Sequence, residues 1–247
     1  MIDAHLRRLR KRDTISPAEE RAIRGLVSET WRVAAHRTLI REGQPLNQSL
    51  LLIEGWLARA VDMETGERWF TEIHIPGDFA DLHSFTLKRL DHDVIALTDC
   101  AVGIVPHERL YDLTAKFPHL GWVYWYTTNV DASIHRQWTV SVAGRNALTR
   151  MAHLICELFI RLEIVGLTDG LSCEFPLTQQ QLAAALGMTP VHVNRTLQEI
   201  RRRGLVELQD RRLRILDLEA LKSAGGFNPS YLFLDFEPER PDPARKG

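Results

Sequence analysis

Cysteine is scarce in this chain, and the three present, Cys100, Cys156 and Cys173, are far apart and odd in number. That excludes a disulfide framework, and with no pair at Cys-x-x-Cys spacing it excludes a thiolate zinc site. The expectation is three reduced thiols packed as small apolar groups in a cytoplasmic protein. No apolar run approaches the about 20 residues needed to cross a bilayer. The opening Met1-Ile2-Asp3-Ala4-His5-Leu6-Arg7-Arg8 has basic residues with no apolar core after them, so it reads as no secretory signal. Net charge is also lacking: 31 Lys and Arg against 32 Asp and Glu leave −1, so a nucleic-acid partner has to be met by a local patch. No nucleophile elbow, His-Glu-x-x-His, P-loop or Gly-x-Gly-x-x-Gly is present, and the neighbours Asp91 and His92 would point apart in a strand. No enzymatic activity and no cofactor are expected. What is there is a 247-residue chain, 45 % hydrophobic and 26 % charged, enough to fill one large or two modest cores.

Residues 1–15 carry Arg7, Arg8, Arg10, Lys11 and Arg12 and read as a loose arm or a short helix. Ser16-Pro17-Ala18-Glu19 is a helix start, with a cap, a proline at the first helical position and a glutamate three after the cap. From about 36 to 108, short apolar runs alternate with Gly43, Gly55, Gly66 and Gly77, and such regular punctuation indicates a sandwich or barrel. Glu64-Thr65-Gly66-Glu67 is the clearest hairpin turn. From Pro118 to about Val142 the pattern is one long helix. Val123, Val130, Ile134 and Trp138 lie on one face with Leu120 beside them, at steps that resemble a coiled-coil seam. The aromatic residues Trp122, Tyr124, Trp125 and Tyr126 are expected to pack on the β-domain. A second amphipathic helix runs to about Val165 through Leu148, Met151, Ile155, Leu158 and Leu162. The tail after Gly225-Gly226 is rich in proline and charge, with an apolar Tyr231–Leu234 patch suited to a partner surface.

The segment from Leu177 to Arg203 is the most informative. Thr178 caps a short helix over Gln179–Leu186. Gly187 ends it, Thr189 caps a second helix, and Pro190 takes that helix's first position. This is a helix-turn-helix. On the second helix Val193, Leu197 and Ile200 point inward, while Val191, Asn194, Arg195, Gln198 and Arg202 share the other face. Residues 204–216 then read as a hairpin with a charged turn, a wing. Between 177 and 216 there are seven arginines, no lysine and three acids, a local +4 in a neutral protein. Such a patch supplies the sequence-independent part of DNA binding.

The glycine-punctuated β-region, Ile75-Pro76-Gly77-Asp78-Phe79, the long helix, and Leu177-Thr178-Gln179-Gln180-Gln181-Leu182-Ala183 leading to Val193-Asn194-Arg195 resemble the Crp/Fnr superfamily of bacterial transcription regulators. The resemblance spans roughly residues 20–222. It implies an α+β chain: an N-terminal β-roll of the cupin-like, cyclic-nucleotide-binding type, a long dimerisation helix, and a C-terminal winged helix-turn-helix. The expected division is 1–18 arm, 19–118 sensor, 119–142 dimer helix with Leu120, Val123, Val130 and Ile134, 143–226 DNA-binding domain and 227–247 tail. The implied function is a homodimer on a pseudo-palindromic DNA site, with RNA polymerase as a further partner and no membrane. The alternative is a regulatory module whose winged helix contacts protein.

By that resemblance Val191, His192, Asn194 and Arg195 contact bases, with His192 partly buried against the first helix. Thr178, Gln179, Thr189, Gln198, Arg202 and Arg211 contact phosphates. Arg195 matches the family's guanine reader, whereas Val191 stands where the family places a glutamate that accepts from cytosine. The sensor loop departs further. Asp81-Leu82 replaces a Gly-Glu pair, and an Arg-Ser pair falls near Leu90-Asp91. A degenerate effector pocket of Asp81, Leu82, His83, Leu90 and Asp91 is therefore expected, repelling a phosphate, with the true effector unknown. Iron-sulfur sensing is excluded because no cysteine precedes Cys100. His83, His92, Asp81, Asp91 and Asp93 are metal-ligand types, and His74 and His83 are haem-ligand types, but the expectation is a solvated polar loop with no metal.

Overall fold

The computed structural model describes residues 2–234. Two helices open the chain: α1 (Asp3–Arg12) and α2 (Pro17–Arg24). In α2 the Ser16 side chain accepts from Glu19 N while Glu19 reaches back to Ser16 N, a complete capping box. Then come β1 (Glu29–Val33), β2 (Thr38–Ile40), β3 (Gln48–Glu54), β4 (Leu57–Asp62) and β5 (Arg68–His74). The short helix α3 (Ser84–Leu87) follows, then β6 (Asp93–Ala96) and β7 (Cys100–Pro106). These strands form two antiparallel sheets, ordered β1-β7-β3 and β2-β6-β4-β5, which face each other as a roll.

The three consecutive leucines of β3 show how alternation serves two cores. Leu50 and Leu52 fill the roll with Val94, Val102 and Ile104. Leu51 points the other way, into a second core with Phe79, Leu110 and Val123. That outer core is roofed by α1, by α4 (His107–Lys116) and by the first half of α5 (Pro118–Gly144), a 27-residue helix. Gly77 is needed where it stands. Its φ is +96°, and an added Cβ would meet the Ala4 carbonyl carbon at 2.8 Å, so only glycine lets α1 lie against this turn.

After α5, the Asn146 side chain caps α6 (Ala147–Ile164) by accepting from Thr149 N. A small antiparallel sheet ordered β10-β11-β9-β8 then frames two crossing helices. Its strands are β8 (Thr168–Asp169), β9 (Ser172–Glu174), β10 (Val206–Gln209) and β11 (Arg212–Ile215), and the helices are α7 (Gln179–Leu186) and α8 (Pro190–Arg202). α9 (Leu218–Gly225) packs on α6, and a single 3-10 turn (Pro229–Leu232) ends the described chain.

The structure corrects three expectations. Of the two readings of the basic N-terminus, the short helix holds and the loose arm does not: α1 buries His5, Leu6, Arg8, Leu9 and Arg12. The apolar patch near the C-terminus is not held out for a partner. Tyr231 and Leu232 are buried in the chain's own core beside Phe159 and Phe227, while the rest of the tail lies outside the described residues. Of the four aromatic residues early in α5, Tyr124 is buried against His5 and Phe79, whereas Trp125 is exposed and meets Trp122 edge to face.

Candidate nucleic-acid interface and sensor cavity

α7 and α8 owe their crossing to local chemistry. Thr178 and Gln181 form a capping box at the start of α7. Gly187 closes α7 in the left-handed conformation, and Thr189 caps α8 by accepting from His192 N at 3.2 Å. Val193, Leu197 and Ile200 are then buried against α6 and the small sheet. Rotation about α8 turns Val191, Arg195, Gln198 and Arg202 to solvent, with Asn194 half-buried between them. Val191 is 64 % exposed, so its apolar side chain faces outward with nothing from its own chain to cover it.

Among the described residues Arg195 has no ion-pair or hydrogen-bond partner. Its neighbour Arg202 is different. Its Nε and Nη2 donate to the two oxygens of Glu199 at 2.8 Å each, and Arg203 donates to the same carboxylate. These bonds pull the Glu199 carboxyl down to about 2. With Arg214 beside Glu207 at 3.5 Å, three of the seven arginines counted in the sequence are therefore already paired, and an anion at Arg202 would have to compete with Glu199. Thr178, Gln179, Thr189 and Gln198 are all exposed. So is Arg211, in the wing turn, where Asp210 and Arg211 have φ of +49° and +61°. His192 is exposed, not partly buried, because residues 193, 196 and 197 take the inward positions.

The second site is the space between the roll and α5. It is lined by His5, Arg8 and Arg12 of α1, by Arg59 and Glu72 of the roll, by Asp78, Phe79, Leu82 and His83 of the following loop, and by Thr127, Thr128 and Asp131 of α5. The remaining cavity is about 20 Å³, room for roughly one water. Arg59 fills its floor: Nε donates to Ala80 O at 2.8 Å, and Nη1 donates to Glu72 and Asp131 at 2.9 Å each. Glu72, His74 and Asp131 bring ligand atoms within 4.8 Å of one another, the one such group among the described residues. The Arg59 guanidinium already stands between the two carboxylates, where a metal ion would.

Of the five residues read as a degenerate effector pocket, Leu82 and His83 line this space. Asp81 does not: it turns into the roll, accepting from Leu50 N at 2.6 Å and from Ser84 Oγ at 3.0 Å. Leu90 belongs to the roll core, and Asp91 is exposed beside His92. Burial pushes His83 down to about 3 and His92 to about 4, so both rings are neutral. Leu120, Val123, Val130 and Ile134, read as a dimer seam, are all buried within the chain, the first two under α1 and α4, the others against the roll and α6.

The sequence reading missed a buried charge cluster between the roll and α6. Asp78 is ion-paired with Arg8, and Arg161 Nη2 donates to its other oxygen at 2.7 Å. Burial alone would raise the Asp78 carboxyl, but the two guanidiniums overcome this and hold it well below the usual carboxylate range. Arg161 Nη1 donates to Glu157 at 3.1 Å, and Glu157 also accepts from Trp138 Nε1 and from Tyr231 Oη. The legible signal was the spacing of His5, Arg8 and Arg12, which puts three basic side chains on one helix face beside Leu6 and Leu9.

Residues 30–117 match the family model of the cyclic nucleotide-binding domain, and residues 149–224 match that of the Crp-like helix-turn-helix domain. The chain is 24 % identical over 203 residues to the transcriptional regulatory protein btr of Bordetella pertussis, covering 81 % of this chain and 83 % of that protein. It is 23 % identical to the anaerobic regulatory protein of Haemophilus influenzae, covering 90 % and 86 %. The solved structure of FixK2 from Bradyrhizobium japonicum shares the fold, with a TM-score of 0.74 at 17 % identity, covering 82 % of this chain and all of that one.

Proposed function

Because the chain belongs to the Crp/Fnr superfamily of bacterial transcription regulators, we propose that it binds a pseudo-palindromic DNA site as a homodimer, with α8 in the major groove. One observation carries this reading: Arg195 is exposed and unpaired on a helix whose opposite face is anchored in the core. Its planar fork suits guanine O6 and N7, Val191 suits a thymine methyl, and Asn194 an adenine edge. Thr178, Gln179, Thr189, Gln198, Arg202 and Arg211 supply phosphate contacts, which fix register without specifying sequence.

The dimer forms along the face of α5 that the core leaves open. Trp125, Asn129, Ala132, Arg136, Thr139 and Ala143 are exposed at alternating steps of four and three residues, the heptad spacing of a two-helix seam. The sensor does not take a cyclic nucleotide in the family's manner. Leu90 supplies no cation, Asp81 is spent on Leu50 N, and Arg8 and Arg12 close the space between roll and α5. Isothermal titration with cyclic AMP is expected to show no heat of binding, and micromolar affinity overturns this part. Among the described residues no helix is long and apolar enough to cross a membrane. A cytoplasmic location and contact with RNA polymerase belong to the same proposal and rest on the family alone.

The test is selection from a random DNA pool followed by gel shift over a salt series. The expected result is a palindrome whose half-sites lie about 10–10.5 base pairs apart, bound with a steep loss of affinity as salt rises. No enrichment, or binding indifferent to salt, contradicts the proposal.

A further inference from the structure

Helix α1 is built unlike a simple cover. Ile2, Leu6 and Leu9 pack with Leu26, Phe79 and Leu113, which suffices to hold a lid. Yet Arg8 and Arg12 are also turned inward, and Arg12 Nη1 is buried with no hydrogen-bond partner. Buried guanidiniums weaken a contact relative to apolar side chains of the same size, because desolvation offsets most of the ion-pair gain. His5 is fitted more closely. Burial keeps its ring neutral, so Nδ1–H donates to Gly77 O at 2.9 Å while Nε2 accepts from Tyr124 Oη at 3.2 Å. The helix thus recognises three separate parts of the fold. It meets the sensor loop at Gly77 and Asp78 and α5 at Tyr124. It meets α6 where Arg7 Nη1 donates to Val165 O at 3.0 Å.

From Asp78 a line of ion pairs and hydrogen bonds runs on through the molecule. Arg161 joins Asp78 to Glu157, and Glu157 accepts from Tyr231 Oη at 2.8 Å in the turn that closes the DNA-reading half. We propose that α1 is a displaceable internal ligand of the sensor. While bound, it holds the DNA-reading half through Asp78, Arg161 and Glu157, and its departure loosens that half. This rests on the DNA-binding reading above. Departure would bare the Asp78 carboxylate beside Phe79 and Tyr124. The site therefore selects an amphipathic cation, and a basic amphipathic helix is the class of competitor that opens it.

The test uses the full chain with Arg8→Ala, Arg8→Lys, and Arg10→Ala as a control at an exposed position of the same helix. Hydrogen exchange and DNA affinity are both measured, with and without a synthetic peptide of residues 2–14 added in trans. Arg8→Ala is expected to raise exchange in α1, in residues 75–83, and in α6 and the 229–232 turn. The peptide restores protection outside α1, and DNA affinity shifts by about fivefold or more, with Arg8→Lys intermediate and Arg10→Ala unchanged. The proposal fails if added exchange stays within α1 while DNA affinity matches the unmodified protein. Should Arg8→Ala not fold, Arg8→Lys decides: exchange in α6 and DNA affinity identical to the unmodified protein overturn the proposal. Loss of DNA binding by the unmodified protein sinks the functional reading instead, and leaves the exchange and peptide results to judge α1 alone.

Discussion

Asp78 and Arg161 lie 83 residues apart in sequence and meet at 2.7 Å beneath the β-roll, both almost fully buried. With Arg8 on the other carboxylate oxygen, the single acid compensates two guanidiniums. Asp78→Ala removes the ion-pair partner of Arg8 in a dry site and leaves Arg161, among the described residues, with Glu157 as its one carboxylate at hydrogen-bond distance. The expected loss is about 3–5 kcal/mol of unfolding free energy, read from urea denaturation. Glu54→Ala removes the partner of Arg32 in an exposed pair of similar length and should stay within about 0.5 kcal/mol. Equal effects at the two positions would show that burial does not make the loss of a charge partner costly here.

Arg195→Ala is expected to cost about 1–3 kcal/mol of DNA affinity and to relax one guanine position. Arg211→Ala, at the wing tip, should weaken binding evenly across sequences and lower the salt slope by about one. Anisotropy titrations on matched and single-substituted sites separate the two. A uniform loss for Arg195→Ala assigns it to phosphate rather than base.

Helices α7 and α8 were legible because their signals are local. Thr178 with Gln181, Thr189 with His192 N, and Gly187 in a left-handed turn all act within three or four residues. The apolar stripe of α5 was legible as a stripe but not in its destination. Leu120, Val123, Val130 and Ile134 have the same spacing whether their own chain or a partner covers them, and here their own chain does. The charge cluster was hidden for a different reason. Arg161 reaches Ile73 O and Asp78 across 88 and 83 residues, and nothing in a charged helix says which arginine will be turned inward. The same ambiguity left residues 1–15 readable as either a loose arm or a short helix.

Val191 stands where relatives of this kind are expected to carry a glutamate, and its exposure means that no contact within the chain dictates an apolar residue there. Val191→Glu restores an acceptor for the cytosine amino group, worth about 1–3 kcal/mol of discrimination. Repeating the DNA selection with this variant should move preference at one position per half-site toward cytosine and leave the Arg195 guanine unchanged. An unchanged consensus would place Val191 outside the groove.

Asp81 offers a pH test of the roll itself. Burial raises its carboxyl from the ordinary 3.8 to about 7, against the opposing hydrogen bonds from Leu50 N and Ser84 Oγ. Between those two values the folded chain keeps a proton that the unfolded chain releases. The Asp81 contribution to stability is therefore present at acid pH and is lost as pH rises through about 7. His5, His107 and His153 act in the opposite sense. Burial lowers each to about 4, so their contribution is present above 6.5 and is lost as pH falls. The two trends overlap, so the total pH profile does not isolate Asp81, but a difference between variants does. Asp81→Asn keeps an acceptor for Leu50 N and removes the titration. Relative to the unmodified protein, its urea midpoint should rise between pH 5 and pH 8. A difference that is the same at both values would mean that Asp81 does not change protonation in this range.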